Sequence, residues 1–370
     1  MRLKSCKKSV KIQLLFVLVM LSISINVVNS SSISLSTQII VGPYTQAAGT
    51  ESIEILWETS TFTTINEVHW GKTPSLGNIT SEEYLSSNNL HSVKLNGLNE
   101  STKYFYKVVS DEIESPIYHF YTSFGYNDTI RFIVYGDSRG VWDNWQNTKI
   151  VTKAIENKDP FFVINTGDLV KNGLNESQWI DFFNSTFFMH NSTFYPVLGN
   201  HEFYGNEYFN YFVLPNNEKW YSYDNGPVHF IALDSNFPNS VRFSQILWLI
   251  KDLINIEKPY VIVTFHHPPF SSSEHGSSFY LRLYLKPIFE YFNVDIVFNG
   301  HDHSYERGKV NGVNYIVTGG GGAPLYDVGE NWWTIYSEKT YNYCLINVNA
   351  TLLTFEAIKP DGAIIDSFTL

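Results

Sequence analysis

From residue 131 onward the sequence returns seven times to one kind of segment. RFIVYGD, PFFVINTGD, TFYPVLGNHE, VHFIALDS, KPYVIVTFHH, VDIVFNGHDH and VNYIVTGGGG each carry an apolar, β-branched run. Such near-continuous runs fit strands buried on both faces. Between several of them lie stretches with helical periodicity: TKIVTKAIENK, ESQWIDFFNSTFF, FSQILWLIKDLIN and YLRLYLKPIFEYF. Strand alternating with helix defines an α/β domain, expected here over residues 131–370. The end, YNYCLINVNATLLTFEAIKPDGAIIDSFTL, reads as closing antiparallel strands with Pro360-Asp361-Gly362 as a turn.

Residues 34–123 follow another pattern. ESIEILWET alternates apolar and polar positions, which puts Ile53, Ile55 and Trp57 on one face. EVHWG, HSVKLNGL, TKYFYKVVS and SPIYHFYTS are further short runs separated by turn-rich stretches. Strands of this length and spacing point to a β-sandwich. LNGLNESTKYFYKV resembles a fibronectin type III strand pair, with a Leu in the turn and a Tyr in the next strand. The loop GYND, residues 125–128, separates the sandwich from the α/β domain. The sandwich is expected to pack on that domain and to shape its cleft.

The α/β strands end on chemistry. Asp137 closes the first run, Asp168 the second, Asn200 and His201 the third, His266 and His267 a later one, and His301 and His303 the next. Sites in open α/β sheets form at the carboxyl ends of strands. Any one of these endings is an ordinary capped turn. Five together, four with a nearby Gly, are not. Carboxylate, amide and imidazole donors suit two adjacent cations, since a carboxylate bridges and imidazoles complete each shell. Two ions clamp a phosphoryl group and supply a hydroxide nucleophile at neutral pH.

GDSRG, TGDLV, GNHE, VTFHHPP and NGHDHSYER, in this order, resemble the motifs of the calcineurin-like metallophosphoesterases. With the β-sandwich ahead of them, they resemble the purple acid phosphatase branch. The resemblance implies a two-sheet α/β/β/α sandwich and two metal ions (Fe, Zn or Mn). It places one ion on Asp137, Asp168 and His303, and the other on Asp168, Asn200, His266 and His301, with Asp168 as the bridge. It makes His201 and His275 substrate-side catalytic histidines, although the serines flanking His275 leave a plain surface loop as the alternative. Two positions depart from the family pattern. Lys171 stands where the purple enzymes have a metal-ligating tyrosine, so a colourless protein is expected. Arg139, two after Asp137, cannot ligate a metal. It either binds substrate phosphate through its planar fork or pairs with a nearby Asp. Asp302, between His301 and His303, should point away from the ions, and its loss should be mild.

The first thirty residues carry a basic head (Arg2, Lys4, Lys7, Lys8, Lys11), then the uncharged run IQLLFVLVMLSISINVV, then small residues. This is the layout of a cleavable secretory signal, with an uncleaved anchor as the alternative. Those five basic residues belong to 25 in all, so 20 remain against 36 acidic ones, a net of −16. Such a surface repels polyanions and excludes nucleic acid as a partner. Cys6 lies in the head and leaves Cys344 alone, so no internal disulfide forms. The expected protein is a secreted or cell-surface phosphate monoester hydrolase. Its partner is a small phosphorylated substrate and, after cleavage, not a membrane. A phosphodiesterase on the same two-ion core and a non-catalytic cell-surface binding protein are the alternatives.

Overall fold

Ile53, Ile55 and Trp57 lie along the strand Ser52–Thr59, and all three are fully buried. The computed structural model describes residues 36–83, 89–237 and 242–370, so the expected leader falls outside the described residues. Ser52–Thr59 pairs with Ile39–Gln46 on one side and Leu90–Asn96 on the other. A second antiparallel sheet faces this one. It orders Asn78–Ser81, Asn66–Gly71, Lys103–Ser110 and Ile113–Glu114, with Tyr118–Tyr121 also on Lys103–Ser110. Val68, Tyr106 and Phe120 from the second sheet meet Ile53, Ile55 and Trp57 between the layers. Burying each isoleucine contributes roughly 1.5–3 kcal/mol. Tyr104 closes the corner, its hydroxyl accepting the Asn99 backbone N–H at 2.9 Å.

All seven apolar runs of the α/β domain form strands. Thr193–Pro196, Phe162–Asn165 and Ile130–Tyr135 are parallel neighbours, and Tyr343–Asn349, Leu352–Ile358 and Ile364–Thr369 extend that sheet antiparallel. The second sheet places Val228–Ala232, Tyr260–Thr264, Ile296–Asn299 and Val313–Thr318 in parallel order. Tyr221–Asn225 pairs antiparallel at one edge, and Tyr305–Val310 with Thr334–Glu338 at the other.

The two sheets stack face to face. In Tyr260–Thr264 the side chain of Ile262 enters the layer between them, while Val261 and Val263 enter the layer under the outer helices. Both faces are therefore apolar, which is why the run is continuous. Gln146–Glu156 and Glu176–Ser185 cover the first sheet with Val151, Ile155, Trp179 and Phe182. Phe243–Ile254 and Lys286–Tyr291 cover the second with Leu249, Leu253 and Phe289. The result is the expected α/β/β/α sandwich. The helical pattern over 280–292 is broken into Phe279–Tyr284 and Lys286–Tyr291, because Pro287 has no N–H to continue the first helix. Among the described residues no helix is long and apolar enough to cross a membrane.

The β-sandwich packs on the free edge of the first sheet. Gln46 donates from Nε2 to Phe194 O at 2.9 Å, in the edge strand itself. Tyr44 donates to Tyr211 O at 2.6 Å, and Tyr106 to His190 O at 2.7 Å. His190 Nδ1 donates to Pro43 O at 2.7 Å. Gln46 thus meets the edge strand, while Tyr211 and His190 belong to the helix Asn206–Tyr211 and the turn Phe187–His190 beside it.

Candidate metal centre

The strand registers bring the sequence-predicted residues together. Tyr135, Asn165 and Pro196 are aligned across the first sheet, and Asp137, Asp168 and Asn200 follow them by a few residues. In the second sheet Thr264 aligns with Phe298, and His266 and His301 follow. Backbone bonds stitch these loops, Asp137 N to Gly167 O at 3.0 Å and Gly300 N to His266 O at 2.9 Å. The glycines are there because the loops nearly touch. A Cβ on Gly199 would stand 2.2 Å from Asp168 Oδ1, and one on Gly300 2.4 Å from Asp137 Oδ2. Asp137, Asp168 and His301 have φ of 58°, 57° and 70°, the left-handed region that turns each side chain back into the site.

One group of donors gathers around His266, and Asp137, Asp168 and His266 offer ligand atoms that all lie within 4.8 Å of one another. His266 Nε2 lies 3.1 Å from Asn200 Oδ1, 3.2 Å from His301 Nδ1 and 3.4 Å from Asp168 Oδ1. Ligands about 2.1 Å from one ion stand roughly 3.0–3.4 Å from each other. His266 Nδ1 donates to Thr166 O at 2.9 Å, which fixes the tautomer and leaves Nε2 inward. Burial works against a charged His266 ring, but Asp168 and Asp137 outweigh it and raise its pKa to about 9. The field that favours a proton there favours a metal cation equally. His301 is pushed the other way, by burial and then by His266, His267 and His275, and stays a neutral ligand. Burial alone would raise the Asp168 carboxyl, yet His266, Arg139 and His201 hold it below the ordinary carboxylate value.

The other group fits an ion less well. His303 Nε2 lies 3.5 Å from Asp137 Oδ1, and Asp137 Oδ1 and Asp168 Oδ2 lack hydrogen-bond partners. That is a donor set for a cation. Its centre, however, receives Arg139: Nη2 is 2.7 Å from His303 Nε2 and Nη1 is 3.4 Å from Asp168 Oδ2. Arg139 thus pairs with Asp168 and meets His303, while its Nε is buried without a hydrogen-bond partner. Lys171 turns out of the site, with Nζ 4.8 Å from the Trp142 ring centre. Tyr305 supplies no replacement ligand, because its buried hydroxyl donates to Asp366 at 2.7 Å.

Both expected catalytic histidines flank the donors. His201 Nδ1 donates to Lys171 O at 2.7 Å, and Nε2 is 3.8 Å from Asp168 Oδ2. His275 is exposed and stacks on His301 with 4.3 Å between ring centres. His267 hydrogen-bonds Ser235 at 2.9 Å and lies 4.5 Å, ring to ring, from His301. Trp333 is buried and donates to Glu306, whereas Trp332 is exposed.

Two neighbours, Glu202 and Tyr326, escaped sequence reasoning. Glu202 is fully buried and accepts the backbone N–H groups of Gly199 at 2.6 Å, Leu169 at 2.8 Å and Asp168 at 3.1 Å. It ties the Asp168 and Asn200 loops together. Burial, then the charge of Asp168, pushes its pKa up to about 8. Tyr326 stacks on His303 at 4.1 Å. Asp302 does point away from the ligands, as expected, but into protein: it is buried and accepts from Ser271 Oγ at 2.5 Å and His275 N at 2.8 Å.

Comparison with known proteins agrees with this construction. The Calcineurin-like phosphoesterase family model matches residues 130–305. The purple acid phosphatase N-terminal domain matches 41–122, and the C-terminal domain of iron/zinc purple acid phosphatase-like proteins matches 312–367. Purple acid phosphatase 21 of Arabidopsis thaliana is 27% identical over 312 residues, 74% of this chain and 70% of the relative. The phosphoenolpyruvate phosphatase of Allium cepa is 25% identical over 320 residues, 75% of this chain, which spans only 64% of that protein. The fold is shared with a purple acid phosphatase from yellow lupin seeds, with a TM-score of 0.76 and 23% identity over 88% of this chain and 73% of that one. Fold, site and relatives define a phosphoric ester hydrolase of the metal-dependent class. The chain thus carries a calcineurin-like phosphoesterase domain between purple acid phosphatase N-terminal and C-terminal domains, and its relatives are purple acid phosphatases, a family built on a two-ion centre.

Proposed function

We propose that this chain hydrolyses small phosphate monoesters and does so outside the cell. The gathering of Asp168, Asn200 and His301 around His266 Nε2 carries the reading, with His201 and His275 beside it. Asp168, Asn200, His266 and His301 would hold an ion, which would supply a Lewis acid for a phosphoryl oxygen and a lowered pKa for water. The protein does the rest. His201 is fixed by its bond to Lys171 O, so that a proton carried at Nε2 faces a leaving alkoxide. Proton delivery of this kind contributes about 10²–10⁴-fold. His275 supplies a second donor across the site, at a position set by Asp302. The name of the Allium cepa relative makes phosphoenolpyruvate a substrate to include. The basic head and apolar run of residues 1–30 support export.

The test is a panel of p-nitrophenyl phosphate, bis-p-nitrophenyl phosphate and phosphoenolpyruvate, assayed with Mn, Zn and Fe. Monoester turnover well above diester turnover is expected. A reversed ratio supports the phosphodiesterase, and no turnover with any metal supports the binding protein. Cell fractionation checks export, which fails if the protein stays in the cytosol.

A further inference from the structure

We propose that Arg139 stands in for one of the two cations of this family's centre, so that the chain holds a single metal ion beside a fixed guanidinium. The inference rests on the metal-dependent reading above and goes beyond it. His303 Nδ1 donates to Pro324 O at 2.6 Å, which leaves the lone pair of Nε2 facing the site. That lone pair serves one partner, and Arg139 Nη2 already lies 2.7 Å from it. An ion about 2.1 Å from the same nitrogen would occupy the space of Nη2. The arginine and the ion exclude each other.

The surroundings agree. Arg139 is 5% exposed, with its guanidinium 5.6 Å over the Trp142 ring, so it is a packed group rather than a surface arm. Lys171, at the position of the family's tyrosine ligand, lies against the same ring. One anionic ligand is thus replaced by a cation, and a second cation enters from Arg139. Both changes remove the need for a metal on this side. On the other side, Asn200, His301 and Asp168 each lie 3.1–3.4 Å from His266 Nε2.

Arginine remains protonated throughout the physiological range and offers a planar fork of donors. The site therefore keeps a positive charge beside Asp137 and Asp168 that no chelator removes.

Metal stoichiometry tests this. The protein is stripped, titrated with Mn²⁺, and measured by elemental analysis and by the manganese electron paramagnetic resonance spectrum. One ion per chain with an uncoupled six-line signal is expected. Arg139→Gln, and Arg139→Gly combined with Lys171→Tyr, should bind a second ion and give an exchange-coupled spectrum. Two ions in the wild-type protein overturn the inference and leave the phosphatase reading standing. Variants that fold but remain at one ion also overturn it, because Arg139 is then not what excludes the second. No ion in the wild-type protein overturns both. The wild-type count decides even if the double variant fails to fold. Ester turnover, scored separately, bears on the phosphatase reading alone.

Discussion

The backbone N–H of His275 donates to the buried carboxylate of Asp302 at 2.8 Å, and this bond, with the one from Ser271, sets where the His275 ring meets His301. Asp302→Ala leaves the buried Ser271 hydroxyl unpaired, at a cost of roughly 1–3 kcal/mol, and frees the His275 N–H, so its loss is not the mild one the sequence suggests. We expect turnover to fall as far as it does in His275→Ala, with the double variant no worse than either. Kinetics and thermal midpoints for the three variants check this. Full additivity would mean that Asp302 acts independently of His275.

Glu202 joins the two loops that carry Asp168 and Asn200. Glu202→Ala strands four buried amides, those of Asp168, Leu169, Val170 and Gly199. The expected loss is about 3 kcal/mol or more, or a midpoint drop of roughly 5–10 °C. Metal affinity should fall with it. Glu202→Gln keeps one acceptor oxygen and should lie between. Calorimetry and a metal titration measure both effects, and an unchanged midpoint in Glu202→Ala contradicts the role.

His266→Ala and His301→Ala each remove a donor from the cluster around His266. Their metal affinity should fall by more than the roughly 10–100-fold that loss of an outer partner costs. His303→Ala should keep the ion and release Arg139 instead. Equilibrium dialysis separates the three.

Colour offers another check. The tyrosine ligand of the purple enzymes is Lys171 here, and Tyr305 is bonded to Asp366. The iron-loaded protein should show no tyrosinate charge-transfer band in the visible spectrum, and such a band would require a tyrosine ligand that this geometry does not supply.

Away from the site, His229 bridges Asp224 at 2.6 Å and Asp252 at 2.9 Å. Burial opposes its charge, but the two carboxylates raise its pKa to about 9. A pKa raised on folding stabilises fully below the unfolded value near 6.5, and that stability is lost as pH rises through about 9. Wild type should exceed His229→Gln by on the order of 2 kcal/mol at pH 6, with the gap closing by pH 10. Urea unfolding at the two pH values measures it. A gap independent of pH would show that packing, not charge, holds His229.

Asp137, Asp168, Asn200, His266 and His301 were legible because each follows an apolar run and most sit near a glycine, and both the strand and the close approach leave a mark in sequence. Glu202 sits inside a quoted motif, yet its role depends on amides from another loop, which local pattern does not encode. The strand Tyr305–Val310 reads as polar, since Glu306 and Arg307 find partners in Ser272, Trp333 and Asp366 only after folding. Arg139 has two chemically equal readings in sequence, and its contact with His303 arises only on folding. The sandwich braces Thr193–Pro196 at the sheet edge, a contact between distant segments that local pattern does not encode.

That bracing bears on how the protein is made. An unpaired strand edge recruits other chains and leads to aggregation. Thr193–Pro196 is such an edge, and Gln46 and Tyr44 meet it and its flank from a sandwich that leaves the ribosome first. During synthesis the sandwich can therefore receive the nascent edge as it emerges, as a built-in chaperone. A catalytic domain expressed without it should emerge with that edge bare and collect in inclusion bodies.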